Sequence, residues 1–295
     1  MSIKRNLGLL WRLLRPPTLT ASIAPVLVGT GLAFHHSAFH LGLFLAMLIA
    51  SMMIQSVANM INEYYDFKRG LDNEHMVGIA GTIVRDNVQP QTVLKVAWTF
   101  LAISALLGLY IAISTSWWVV VAGLGSMIFM YLYSSGPKPI SSTPFGEVTA
   151  GIVMGPVIVL ISYYIQAGSL NTRAVLTSLP IAILIGSILM ANNIRDILHD
   201  IEGGRKTLPI VVGRERAINL LKFVALIAYG IIIFLSIFGQ LPLYSLITLL
   251  SVPLALQGPM LFSKTKEPAE LQGAFKKVSQ TLIVFSALLF LSMIL

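Results

Sequence analysis

Two groups of oxygen-bearing side chains recur along the chain with matching spacing. The first is Gln55-x3-Asn59-x2-Asn62-x3-Asp66, followed by Lys68, Arg69 and Asp72. Offsets of 0, 4, 7 and 11 place Gln55, Asn59, Asn62 and Asp66 on one helical stripe. The second is Asn192-x3-Asp196-x3-Asp200, with Asn193 adjacent and Gly203-Gly204-Arg205-Lys206-Thr207 after it. Its offsets of 0, 4 and 8 again make one stripe. An Asn-x3-Asp unit therefore occurs twice, each time ahead of a basic loop containing glycine. Four of the five Asp residues, 66, 72, 196 and 200, lie in these two units.

Carboxylate and amide oxygens suit Mg²⁺, which is usually held by one or two carboxylates together with substrate phosphate oxygens. Two such clusters facing each other would hold Mg²⁺ bridged to a diphosphate. Lys68, Arg69, Arg85, Arg205 and Lys206 would neutralise the remaining phosphate charge. Gly70, Gly78, Gly81, Gly203 and Gly204 would let loop backbone come close to it. The GxxxxGK[ST] phosphate loop is absent, and with no cysteine there is no thiolate metal site or thiol nucleophile. A plainer reading exists for each cluster alone: membrane amides often bond to a neighbouring helix, and acids at helix ends are often only solvated. Recurrence of one unit at one spacing favours a shared site.

The rest of the chain must carry these clusters through lipid. Of 295 residues, 56% are hydrophobic and 11% charged, and mean hydropathy is +0.83. A soluble domain carries about 25% charged residues, so a water-facing surface is excluded. The pattern is that of an all-α polytopic membrane protein. Nine apolar stretches are long enough to span, at about 18–35, 41–65, 93–113, 116–134, 145–166, 174–195, 217–238, 241–262 and 275–294. They form a single domain over 1–295, in which the second span must turn its polar stripe toward a cavity rather than lipid. Residues 1–17 are basic and amphipathic and read as an interfacial helix stopping at Pro16-Pro17. No cleavage site follows, so no signal peptide is expected.

With the N-terminus inside, 19 of the 20 basic residues face the cytosol and only Arg173 lies outside. The net charge of +8 is then a topology signal, and no basic domain supports nucleic-acid binding. All 12 acids gather on the same side, which orientation does not require. The long polar segments 66–92 and 196–216 then lie on the cytosolic side. His35, His36 and His40 read as a solvated outer loop, His75 and His199 as loop residues. Trp117 and Trp118 read as an aromatic belt.

At these motifs the sequence resembles the UbiA superfamily of intramembrane prenyltransferases, most closely the branch that prenylates 1,4-dihydroxy-2-naphthoate in menaquinone synthesis. The likeness rests on Asn62-Glu63-Tyr64-Tyr65-Asp66-Phe67-Lys68-Arg69-Gly70-Leu71-Asp72 and on Asn192-Asn193-Ile194-Arg195-Asp196-x3-Asp200-x3-Gly204-Arg205-Lys206-Thr207. Arg15-Pro16, Gly81 to Arg85, Tyr133 to Pro139 and Gly146-Glu147 support it. Gly70 stands where many members carry a second Asp, and Asp72 is the nearest substitute.

The resemblance implies nine helices around a cavity open to the cytosol and sideways to lipid. It implies Mg²⁺ held by Asn62, Asp66, Asp72, Asn192, Asp196 and Asp200, and a polyprenyl diphosphate donor. The acceptor would lose its carboxylate on prenylation. The prenyl and acceptor contacts it implies are Gln55, Asn59, Tyr64, Tyr65, Tyr131, Tyr133, Lys138, Arg15 and Glu147. Another aromatic acceptor such as 4-hydroxybenzoate is the nearest alternative. A cation-coupled transporter is remote, because no acid lies mid-span.

Overall fold

Lipid offers no partner for backbone N–H and C=O groups, so long apolar runs must close their hydrogen bonds internally as helices. The computed structural model describes residues 3–35, 38–71, 81–135 and 139–295, and among these there is no strand. The helices are α1 (Ile3–Leu14), α2 (Pro16–Phe34), α3 (Leu41–Lys68), α4 (Thr82–Arg85), α5 (Pro90–Ser114) and α6 (Trp118–Ser134). They continue as α7 (Gly146–Ala167), α8 (Thr172–Arg195), α9 (Ile197–Glu202), α10 (Leu208–Val212), α11 (Arg214–Ile237), α12 (Leu243–Lys264) and α13 (Pro268–Ile294). Eight are long and apolar enough to cross a membrane, and α6 is a shorter apolar helix of 17 residues. Together they match the nine apolar runs of the sequence. The protein is an integral, multi-pass membrane protein.

Two details differ from the sequence reading. The prolines do not stop the interfacial helix. α1 ends at Leu14, Arg15 takes a left-handed conformation (φ 49°, ψ 65°), and Pro16-Pro17 open α2. Proline is tolerated in a first turn because the N–H it lacks would have no helical partner there. Asp66 is also not the start of a loop. α3 continues to Lys68, so Gln55, Asn59, Asn62 and Asp66 ride on one unbroken helix.

α2 packs against α13 and α7, α8 against α11 and α7, and α3 against α5. A large apolar core joins α2, α7, α8, α11, α12 and α13. Glycines permit close approach: a Cβ on Gly155 would stand 2.6 Å from the Cα of Ala182. Around Gly155, α7 opens into a π-turn over Val153–Val157, at Pro156, which has no N–H to donate. α6 is different, since only Val119 and Ser134 of it are buried. The C-terminal half of α3 bonds to the start of α2 through Asn59 and Thr18, the residue capping α3 bonds to the end of α6 through Arg69 and Ser134, and the end of α8 bonds to the start of α7 through Asn193 and Glu147. At this end both polar motifs sit.

Candidate active site

A cavity of about 530 Å³ lies between α2, α3, α5, α6, α7 and α8. Arg15, Gln55, Asn59, Asn62, Tyr133, Asn192, Asn193 and Arg205 line its polar end. Met47, Leu109, Ile111, Trp117, Val119 and Val120 line the far end, so the cavity runs nearly the length of the helices. Trp117, expected as a belt residue, is part of that wall. The far half carries no acid or base.

Arg205 joins the two motifs. Its Nη2 donates to Asp66 Oδ1 at 2.7 Å and its Nη1 to Asp200 Oδ1 at 3.2 Å. Gly204, with φ 69°, supplies the turn that aims Arg205 back across the site. Asp200 is buried, and its Oδ2 has no hydrogen-bond partner. Burial pushes this carboxyl up to about 6; Arg205 pulls it back, and Asp196 raises it further. The same acids, Asp66 first, hold the Arg205 pKa above its ordinary value against the opposing effect of burial.

Asp196 is bound by its neighbour. Arg195 Nε donates to Asp196 Oδ1 at 2.7 Å, and Arg195 Nη2 to Asp196 Oδ2 at 2.5 Å and Asn192 Oδ1 at 2.8 Å. Its Nη1 reaches Gln272 Oε1 at 2.7 Å on α13, and the guanidinium lies over Phe275. Asn192 Nδ2 donates to Asp196 Oδ2 at 3.3 Å.

Among the other residues read from the sequence, Asn59 Nδ2 donates to Leu14 O at 3.1 Å and Thr18 Oγ1 at 2.9 Å, fastening α3 to the α1–α2 junction. Glu147 is buried. It accepts from Asn193 Nδ2 at 2.8 Å through Oε1, while Oε2 has no partner. The buried Tyr133 hydroxyl is also unpartnered. Arg15 donates to the buried Glu63. Tyr65 and Tyr131 share a hydrogen bond of 3.1 Å, with Arg69 over the Tyr65 ring and bonded to Ser134 O. Tyr64, Tyr65 and Tyr131 are not in the cavity wall. Lys68 and Lys206 are exposed, and Arg85 lines a separate surface pocket with Arg12 and Asp86. Asp72 and Lys138 lie outside the described residues.

The sequence reading missed Glu63, Arg195, Gln272 and Phe275 as parts of the site. Glu63 and Arg195 stand inside the two motifs, which was signal enough. Gln272 lies 77 residues beyond Arg195, Phe275 further still, and neither has a local signature.

Among the described residues no three His, Cys, Asp or Glu side chains form a ready-made metal cage. The site does fit a hard divalent ion that takes most of its ligands from substrate. Its donors are all oxygen, and Asp200 keeps a buried carboxylate oxygen unused.

Comparison with known proteins follows the same line. The UbiA prenyltransferase family model matches residues 22–294. The chain is 46% identical to the 1,4-dihydroxy-2-naphthoate octaprenyltransferase of Bacillus subtilis (strain 168), over 99% of this chain and 94% of that protein. It is 33% identical to the enzyme of that name from Mycobacterium tuberculosis, over 83% and 84%. A UbiA homolog from Archaeoglobus fulgidus, solved with GPP and Mg²⁺, shares the fold with a TM-score of 0.69 at 19% identity, covering 95% of this chain and 99% of that one.

Proposed function

This chain belongs to the UbiA prenyltransferase family, and on that premise we propose that it transfers a polyprenyl group from its diphosphate to 1,4-dihydroxy-2-naphthoate. The products are demethylmenaquinol, CO₂ and diphosphate. The observation that carries the reading is the Arg205 bridge from Asp66 to Asp200, which brings both polar motifs to one end of an apolar cavity. The names of relatives that cover nearly the whole chain supply the acceptor.

Each role rests on the two motifs and on the cavity beside them. Asn62, Asp66, Asp72, Asn192, Asp196 and Asp200 would hold Mg²⁺ through their side-chain oxygens. Bound Mg²⁺ would neutralise charge on the diphosphate and ease its departure from the allylic carbon. Arg205 and Arg69, with the exposed Lys68 and Lys206 nearby in the two motifs, stabilise the diphosphate as the C–O bond loosens. Lipophilic walls from Met47 to Trp117 house the isoprene units and exclude water from the developing allylic cation. Tyr133 faces the cation from the cavity wall. The acceptor ring attacks in the polar half, where Arg15, Gln55, Asn59 and Asn193 line the wall and Glu147 holds Asn193 from behind; Lys138 is assigned to the acceptor from the sequence alone. The poorly covered α6 provides the sideways route for the lipid tail. The chain acts as one domain, with α1 interfacial and with the connections after α3 and α8 facing the cytosol of a bacterial cell.

The test is turnover by purified protein offered dihydroxynaphthoate or 4-hydroxybenzoate with donors of several lengths, with and without Mg²⁺. Prenylation of dihydroxynaphthoate only with Mg²⁺ is expected. Preference for 4-hydroxybenzoate would overturn the acceptor, and full turnover without divalent ions would overturn the metal roles.

A further inference from the structure

Asp66 and Asp200 come from segments 134 residues apart and share one cation, the guanidinium of Arg205. Two carboxylates this close and this buried repel unless a positive charge stands between them. A guanidinium spans such a pair well because its N–H groups diverge in a fixed plane. Arg205 also lines the cavity at its polar end, so the cation faces the space where substrate enters. The carboxylate oxygens it occupies belong to the groups a divalent ion needs.

We propose that Arg205 is a placeholder cation: it holds Asp66 and Asp200 together before substrate arrives, and it yields them to Mg²⁺ only when a diphosphate is there to receive the guanidinium. This rests on the proposed function and adds an order of events. Mg²⁺ alone competes with a charge already in place. Mg²⁺ with diphosphate does not, because the displaced guanidinium gains phosphate oxygens as partners. The two ligands therefore enter together, and no free-standing metal site persists between turnovers. Arg205 is then a positioning residue toward the acids as well as a contact to the diphosphate.

These two roles have opposite signs in one substitution. Arg205→Gln removes the competitor, so Mg²⁺ alone binds about tenfold more tightly. The same change removes a phosphate contact, so inorganic pyrophosphate with Mg²⁺ binds about tenfold more weakly. Calorimetry on the purified full-length chain in detergent measures both without turnover. Arg205→Lys is the companion variant should the Gln variant fold poorly. One compact ammonium spans the two acids less well than the planar guanidinium, so Mg²⁺ alone binds about threefold more tightly than to the unaltered protein. Unchanged or weaker binding of Mg²⁺ alone to both variants, with the unaltered protein still binding Mg²⁺–pyrophosphate, overturns the placeholder role and leaves the proposed function standing. Failure of the unaltered protein to bind Mg²⁺–pyrophosphate overturns both.

Discussion

Arg15 Nη2 donates to Glu63 Oε2 at 3.0 Å, which ties the junction of α1 and α2 to the buried face of α3. Glu63 is 1% exposed and also accepts from the Thr82 hydroxyl and from Ile83 N. One carboxylate thus gathers α2, α3 and α4 at the polar end of the cavity.

Removing one partner of a buried pair leaves a charge uncompensated, at a cost of about 3–5 kcal/mol. Arg15→Gln should lower the thermal midpoint of the purified protein by several degrees. The double variant Arg15→Gln with Glu63→Gln should recover part of the loss. If the single and double variants melt together, the pair is not the fastening described.

Asp66→Ala and Asp196→Ala should each reduce product formation at least a thousandfold while membrane insertion is retained. Excess chelator should silence the unaltered protein, and added Mg²⁺ should restore it. Near-normal turnover in either variant, measured on protein that inserts normally, is the outcome that removes these acids from the reaction.

The Asp200 carboxyl, pushed up to about 6 mainly by burial, gives a pH dependence. Below that value it holds a proton that must leave before the oxygen can serve as a ligand. Binding of Mg²⁺–pyrophosphate should weaken about tenfold from pH 7 to pH 5 and level off above pH 7. For metal-free protein the sign is opposite. The group is an acid whose folded pKa is raised, so its stabilising effect is present at low pH and is lost as pH rises through about 6. A flat Mg²⁺–pyrophosphate affinity between pH 5 and pH 7 contradicts this.

At Gly155 the backbones of α7 and α8 nearly touch, with Ala182 filling the space a side chain would need. Gly155→Val should force the helices apart and depress the thermal midpoint. Gly123, with nothing within 4 Å of its Cβ position, should accept valine without loss of stability. Equal melting of the two variants argues against tight packing at this crossing.

The sequence determined the membrane class, the nine apolar runs and the two Asn-x3-Asp motifs, because hydropathy and helical periodicity are local properties. It also placed Gln55, Asn59 and Asn62 on one stripe, which the unbroken α3 keeps facing the cavity. Partners were not legible in this way. Arg205 reads equally well as a phosphate ligand or as the bridge between Asp66 and Asp200, and only the return of the segment after α9 toward the end of α3 made it the bridge. Gln272 came to hold Arg195 because α13 packs beside α8, a contact that no periodicity encodes. Local chemistry was written in the chain; which charges neutralise which was decided by packing, since burial makes a carboxylate find whatever cation the neighbouring helices bring within reach.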